Sequence, residues 1–341
     1  MGSYWYRPTR INHLVQGADY GWRSGSSKWA PYYIDSLPPT VDIGPGSPTG
    51  ICFGYDSGFP PRYAEALFIA DWSQGRILSV HLQPDGATYR GEFELFASAA
   101  PLPVTDMVIH PDDGALYFAI GGRRVQSAVY RIRYEGAGAA TDADVSPDAE
   151  TEPVRVRRQL ERYQRPGLSF AQLEFVWDQL AHEDLFVRHA ARVALEHQPI
   201  QLWKAWLEPS HFKNASQRLT ALVALAHLGH RNDLPLMLDR LTEMPLAHLS
   251  VDEQLGWLRC LQLAFIRLGP PEEQADQVRT ALDQLPPATD ERVIRELATL
   301  YTYLRTDDAV PRLLTWLGST DDQARSIAAV IICFASSASP Q

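Results

Sequence analysis

The chain has 341 residues, 45% of them hydrophobic and 21% charged, with a formal charge of −10. That is the composition of a globular protein long enough for two domains, and acidic charge spread along it excludes the basic stripe that nucleic-acid binding requires. No apolar run approaches the ~20 residues that cross a bilayer, and the first 30 residues carry Arg, Asp and Trp where a secretory leader would be apolar.

The chain changes grammar near residue 140. Eleven of its 14 tyrosines precede residue 135, and Leu and Ala dominate afterwards. Near the start, "INHLVQGADYGWRSG" (11–25) is a Gly- and aromatic-rich turn sequence. Between 49 and 134, short apolar runs are cut by turn dipeptides, as in a meander of β-strands. "TGICFGY", "ALFIADW", "RILSVHL" and "GEFELFA" make one set, and "VTDMVIH", "ALYFAI" and "SAVYRIRY" begin another. Four-stranded meanders repeating every ~40–50 residues are the mark of propeller blades, although a sandwich would read similarly. The acidic, aperiodic stretch 135–155 reads as a flexible linker.

Beyond the linker the period becomes helical. "SFAQLEFVWDQLA" puts Phe170, Leu173, Val176, Trp177 and Leu180 on one face, with Ser169 as cap, and "DLFVRHAARVALEHQ" follows Asp184 in the same way. Five arginines, Arg188, Arg218, Arg259, Arg295 and Arg325, each precede a run of small and apolar residues. This irregular repetition predicts HEAT-like helix pairs, with each Arg lying along the neighbouring repeat. The fold expected is therefore multidomain β plus α: about two blades of a β-propeller (1–134), a linker (135–155) and a HEAT-like α-solenoid (156–341).

Phosphate loops, Gly-x-Ser-x-Gly elbows and His-Glu-x-x-His pairs are absent from the sequence. Cys52, Cys260 and Cys333 are too few and too scattered for a disulfide framework or a zinc pair. The candidate ligand-binding residues are Arg10, His13, Tyr20, Trp22, Asp106, Arg123 and Arg124. His13 would need an oriented partner to act as a base. The "GGRR" turn at 121–124 places Arg123 and Arg124 together, which suits an anion if the turn opens onto a pocket and a solvated hairpin tip if it does not. Asp71-Trp72 reads as a turn-capping Asp beside a core aromatic.

Three segments in order resemble the soluble quinoprotein glucose and sorbosone dehydrogenase-like β-propellers: "INHLVQGADYGWRSG", "GSPTGICFGYDSGFPPRYAEALFIADW" and "LPVTDMVIHPDDGALYFAIGG" with "VYRI". The resemblance implies a propeller related to sugar dehydrogenases, pyrroloquinoline quinone and calcium as the relatives' cofactors, HEAT-like repeats behind the propeller, and exported full-length relatives. At the family's Arg-x-Arg-Asp run this chain reads Pro103-Val104-Thr105-Asp106, and Arg10 stands where an acidic calcium-supporting residue is expected. The early blade with the family's catalytic His has no counterpart, so no catalytic residue carries over and no cofactor is expected here.

The family has about six blades, so residues 1–134 read as a fragment whose open sheet edges invite self-association. The function expected is a protein-interaction scaffold that binds a protein partner on the concave solenoid face. Two alternatives stand beside it: the C-terminal part of a quinone-dependent sugar or alcohol dehydrogenase, and a carbohydrate-binding module.

Overall fold

In the computed structural model, residues 9–21, 29–122, 124–136, 150–286, 288–304 and 311 are described. The chain divides into two compact units, one comprising Tyr4–Leu14 and Pro39–Arg155, the other Met1–Ser3, Val15–Pro38 and Val156–Gln341.

The first unit is built of antiparallel sheets. Strands β1 (Arg10–Ile11) and β2 (Val41–Asp42) form a short ladder. Strands β3 (Pro48–Phe53), β4 (Leu67–Asp71), β5 (Arg76–Asp85) and β6 (Thr88–Ser98) make a four-stranded meander in sequence order, with a one-turn helix α1 (Pro61–Ala64) between its first two strands. Strands β7 (Val104–Ile109), β8 (Leu116–Gly122) and β9 (Val125–Ile132) make a three-stranded one. Each run expected to be extended is a strand, and the second meander has three strands rather than four among the described residues.

Strand β4 is buried at all five positions, so its alternating side chains serve two cores. Phe68 and Ala70 join Ile77, Met107, Leu116, Phe118 and Ile120 in the core shared by the two larger sheets. Leu67 and Ile69 point the other way, onto Ile43, Leu78 and Val80. At the strand's end the carboxylate of Asp71, wholly buried, accepts from the Ser47 N–H at 2.9 Å and the Ser73 hydroxyl at 3.1 Å and pairs with Arg76 Nε at 2.9 Å. Burial opposes its charge, but these hydrogen bonds outweigh it and hold the carboxyl below its usual range. Asp71 thus ties the segment before β3 to the β4–β5 turn.

The second unit is helical: α2 (Glu152–Arg162), α3 (Phe170–Gln179), α4 (Leu185–Glu196), α5 (Ala215–Leu228), α6 (Leu234–Thr242), α7 (Val251–Arg267), α8 (Ala275–Asp283) and α9 (Glu291–Leu304). Side chains cap the helix starts where the sequence offers them. Ser169 and Gln172 form a reciprocal capping box at α3, Asp184 accepts from the Phe186 and Val187 N–H groups at α4, Asn214 caps α5 and Ser250 caps α7. Ser169→Ala is expected to cost about 1 kcal/mol in a denaturant titration. A change below a few tenths would mean that α3 is held by packing alone.

Helices α4, α5, α7 and α9 pack against one another in succession, while α6 lies against α5 and α7 and α8 against α6 and α9. The core between them holds Leu222, Leu225, Trp257, Leu261 and Met237, each at most 1% exposed. Four of the five aligned arginines sit on these successive helices: Arg188 in α4, Arg218 in α5, Arg259 midway along α7 and Arg295 in α9. The fifth copy, at Arg325, and Cys333 lie outside the described residues, as does most of the expected linker, 137–149. The helical unit also takes in residues 15–38, which the sequence pattern places in the β half.

Candidate functional site

The described residues of 15–38, namely 15–21 and 29–38, cross the helical unit as an irregular strap. It begins with two tight turns at which Gly17 and Gly21 both have φ of +74°. At Gly17 an added Cβ would also stand 2.8 Å from a Val193 methyl group on α4, so the position needs glycine twice over. The Gln16 carbonyl accepts from His189 Nε2 on α4 at 3.4 Å, and the Ser36 hydroxyl donates to the Asp19 carbonyl at 2.8 Å. Further along, Leu37 is fully buried and Ala30 is 4% exposed.

The strap's anchor is Asp35. Its two carboxylate oxygens accept from Arg259 Nε and Nη2, each at 2.8 Å, and both residues are buried. The guanidinium lies 4.1 Å from the Tyr33 ring centre and 5.2 Å from that of Trp29. Burial disfavours the charge on Arg259, but the carboxylate outweighs it and raises the pKa above the usual arginine range. Beside this pair, Glu296 of α9, 3% exposed, accepts from the Tyr32 hydroxyl at 2.7 Å, from Gln262 Nε2 at 2.7 Å and from the Tyr33 hydroxyl at 3.4 Å. Burial, with Glu296 adding to it, raises both tyrosine pKa values.

The aligned arginines therefore do different things. Arg259 holds the strap. Arg218 reaches Glu243 at 3.2 Å and lies over the Phe212 ring. Arg188 donates through Nη1 to the carbonyls of His182 and Glu183 at 2.6 and 2.7 Å, in the turn before its own helix rather than along a neighbouring one.

Between the strap and the helices lies a cavity of about 590 Å³. Strap residues 31–34 form one wall, and the first turns of α4, α5, α7 and α9 form the rest through Arg188, Ser216, Ser250, Asp252, Glu253 and Arg292. Arg292 is already engaged, by Asp290 at 2.9 Å and Asp252 at 3.7 Å. Glu253 accepts from the Ser250 backbone and hydroxyl. Sequence reasoning did not reach this cavity, because its strap wall carries no periodic signal.

The residues proposed from sequence fall in several places. In the β unit, Arg10 pairs with Asp42 across β1 and β2 at 3.5 Å. His13 Nδ1 stands 3.0 Å from the Thr88 hydroxyl, its ring edge-on to Tyr89 at 5.3 Å. Asp106, on β7, accepts from the Met107 N–H at 2.8 Å, and Arg124, exposed, takes a positive φ of 64° in the β8–β9 turn. Tyr20 belongs to the strap, where burial lifts its hydroxyl pKa to about 12. Trp22 and Arg123 lie outside the described residues. Asp71 holds the turn as expected, whereas Trp72 is exposed rather than a core aromatic, its Nε1 donating to the Gly121 carbonyl at 2.9 Å.

At the positions matching the quinoprotein cofactor run, the Pro103 carbonyl accepts from Gly121, Val104 is fully buried and Thr105 donates to the Ala119 carbonyl. One carboxylate and no guanidinium do not fit an anionic quinone that bears several carboxylates. Among the described residues, no group of three or more His, Cys, Asp or Glu is placed to hold a metal ion. No described helix is long and apolar enough to cross a membrane.

No family model matches the chain, and no curated protein does. One similar solved structure, from Thermus thermophilus, is described as a "putative oxidoreductase (glucose dehydrogenase)". It is 20% identical with a TM-score of 0.30, and the match covers 36% of this chain and 36% of that one. The chain thus spans about a third of the length of the structure it matches.

Proposed function

We propose that the chain is a non-catalytic interaction module, with propeller-like sheets and a HEAT-like array of helices whose arginine-bearing layer grips non-helical protein segments. One observation carries this reading. The helical layer holds a ten-residue irregular stretch of the chain itself, 29–38, by a bidentate buried ion pair, two aromatic rings over the guanidinium and two tyrosine hydroxyls on a buried carboxylate. These are the contacts of an interface anchor, in which Arg, Tyr and Trp dominate. A partner segment would present the same chemistry, an aromatic residue followed by a tyrosine and an acid.

The test uses the full chain carrying Asp35→Asn, which removes the strap's charge and weakens its hold on Arg259, so that an added segment with the acid intact can displace it. A labelled peptide of sequence WAPYYIDSLP (29–38) is expected to bind this variant with a Kd of about 10 μM or tighter and to lose binding when Arg259→Met is added. Absence of saturable binding to a folded Asp35→Asn protein would overturn the reading.

The second reading, a piece of a quinone-dependent sugar dehydrogenase, draws support from the three-segment sequence resemblance. Pyrroloquinoline quinone, calcium and an aldose supplied to the full chain are expected to give no dye reduction, since the residues at 103–106 lack the cationic donors. Turnover in that assay would establish the second reading and remove the first.

A further inference from the structure

The cavity under the strap is lined by charges of both signs. Arg188 of α4 is one of its cations. Its Nη1 is used by two backbone carbonyls, which fix the guanidinium without neutralising it, and its Nε is buried with no acceptor among the described residues. Asp184, on the same turn, already uses its carboxylate to accept the first N–H groups of α4. Burial pulls the arginine pKa down, and the charges of Asp184 and Asp252 only partly offset it. Beside it are the Ser216 side chain and the apolar wall of Leu185 and Leu219. A guanidinium held in place by backbone carbonyls, with nearby carboxylates that only partly offset its charge, is a place for a carboxylate from outside.

The lining also carries two acids. Asp252 and Glu253 open α7, and Asp252 has its side chain 87% exposed. Arg292 offsets only part of this charge, because Asp290 already holds it in a closer pair. The cavity's volume exceeds that of a single amino-acid side chain several-fold and lies within the range of small-molecule sites.

We propose that this cavity binds a small zwitterion of the amino-acid or short-peptide class, its carboxylate on Arg188 and its ammonium toward Asp252 and Glu253. A simple carboxylate would leave Asp252 and Glu253 without a cation, and a simple amine would leave Arg188 as it is. Only a molecule with both charges complements both sets of side chains. The site is separate from the Arg259 anchor, so it does not depend on the chain being a peptide-gripping module.

The experiment is isothermal titration of the full chain with a panel of free L-amino acids and di- and tripeptides, with acetate-type monocarboxylates, monoamines and dicarboxylates as separate arms. At least one zwitterion is expected to bind at least about tenfold tighter than the carboxylate or amine that shares its side chain. Arg188→Met is expected to abolish that binding. Because Arg188 also braces the turn before α4, the deciding variant is Asp252→Lys, on an exposed side chain. It should lose the zwitterion by at least about tenfold and gain affinity for dicarboxylates. Failure of every zwitterion to bind the folded protein, or unchanged zwitterion affinity in Asp252→Lys, would overturn the proposal. Preference of the unmodified protein for dicarboxylates would overturn it equally.

Discussion

Asp35→Ala is expected to destabilise the helical unit by about 3–5 kcal/mol, the cost of leaving one member of a buried ion pair without its partner. Arg259 is 7% exposed and loses both of its carboxylate hydrogen bonds in that variant, keeping only Gln262 and the two aromatic faces. Urea unfolding followed by tryptophan fluorescence measures the loss, with Trp29 reporting from the ring face over the guanidinium. The double replacement Asp35→Leu with Arg259→Met removes both charges together and is expected to recover more than half of the loss, since well-packed apolar pairs replace buried ion pairs at little or no cost. A loss under about 1 kcal/mol for Asp35→Ala would put the pair in the class of exposed salt bridges and mark the strap as a passenger on the helices.

Acidification below pH 6.5 is expected to weaken the helical unit progressively. His189 is 3% exposed. Its Nε2 faces the Gln16 carbonyl, and Arg192 Nη2 donates to its Nδ1 at 3.1 Å, so a second proton has no place on the ring. Burial, reinforced by the Arg192 charge, lowers its pKa to about 3. The unfolded chain takes up that proton as pH falls through about 6.5 while the folded chain does not, so stability declines from there down to about 3.

Glu196 adds to the decline over a lower window. Burial opposes its charge, but Arg192 and His227 outweigh this and hold its carboxyl at about 2. The stability it supplies is complete above about 4.5 and is lost toward 2. Each group contributes at most about 1.4 kcal/mol per pH unit within its window. In His189→Gln the slope between pH 6.5 and 4.5 should vanish while that below 4.5 remains. Identical pH profiles for the two proteins would show that His189 is not the group responsible.

Much of the local structure was legible because its causes are local. Ser169 with Gln172 three residues on, and Asp184 before an apolar period, specify helix starts whatever surrounds them. The strands from β3 to β9 were legible as short apolar runs cut by turn dipeptides such as Asp85-Gly86. Residues 15–38 were not legible in this way. Their Gly, Pro and aromatic content reads as loop, and their stability comes from partners such as Arg259 and Glu296, far along the chain, which no window of sequence contains. The repeated arginines were visible as a pattern, but a pattern cannot say that Arg259 meets an aspartate while Arg188 meets carbonyls. A signal was nevertheless present: an arginine inside a run of small apolar helix residues needs an acidic partner, and Asp35 is an acid flanked by Ile34 and, two residues on, Leu37.

The Asp35–Arg259 pair joins residues 224 apart, and that separation governs when the strap can settle during synthesis. At ordinary elongation rates of about 5–20 residues per second, Asp35 waits roughly 10–45 s for Arg259 to be made. Throughout that interval Trp29 and Tyr33 lack the guanidinium they pack on, and Tyr32 waits longer still for Glu296. The earliest part of the helical unit to be translated is therefore among the last to be buried, and its aromatic residues are exposed to chaperones for most of the chain's production.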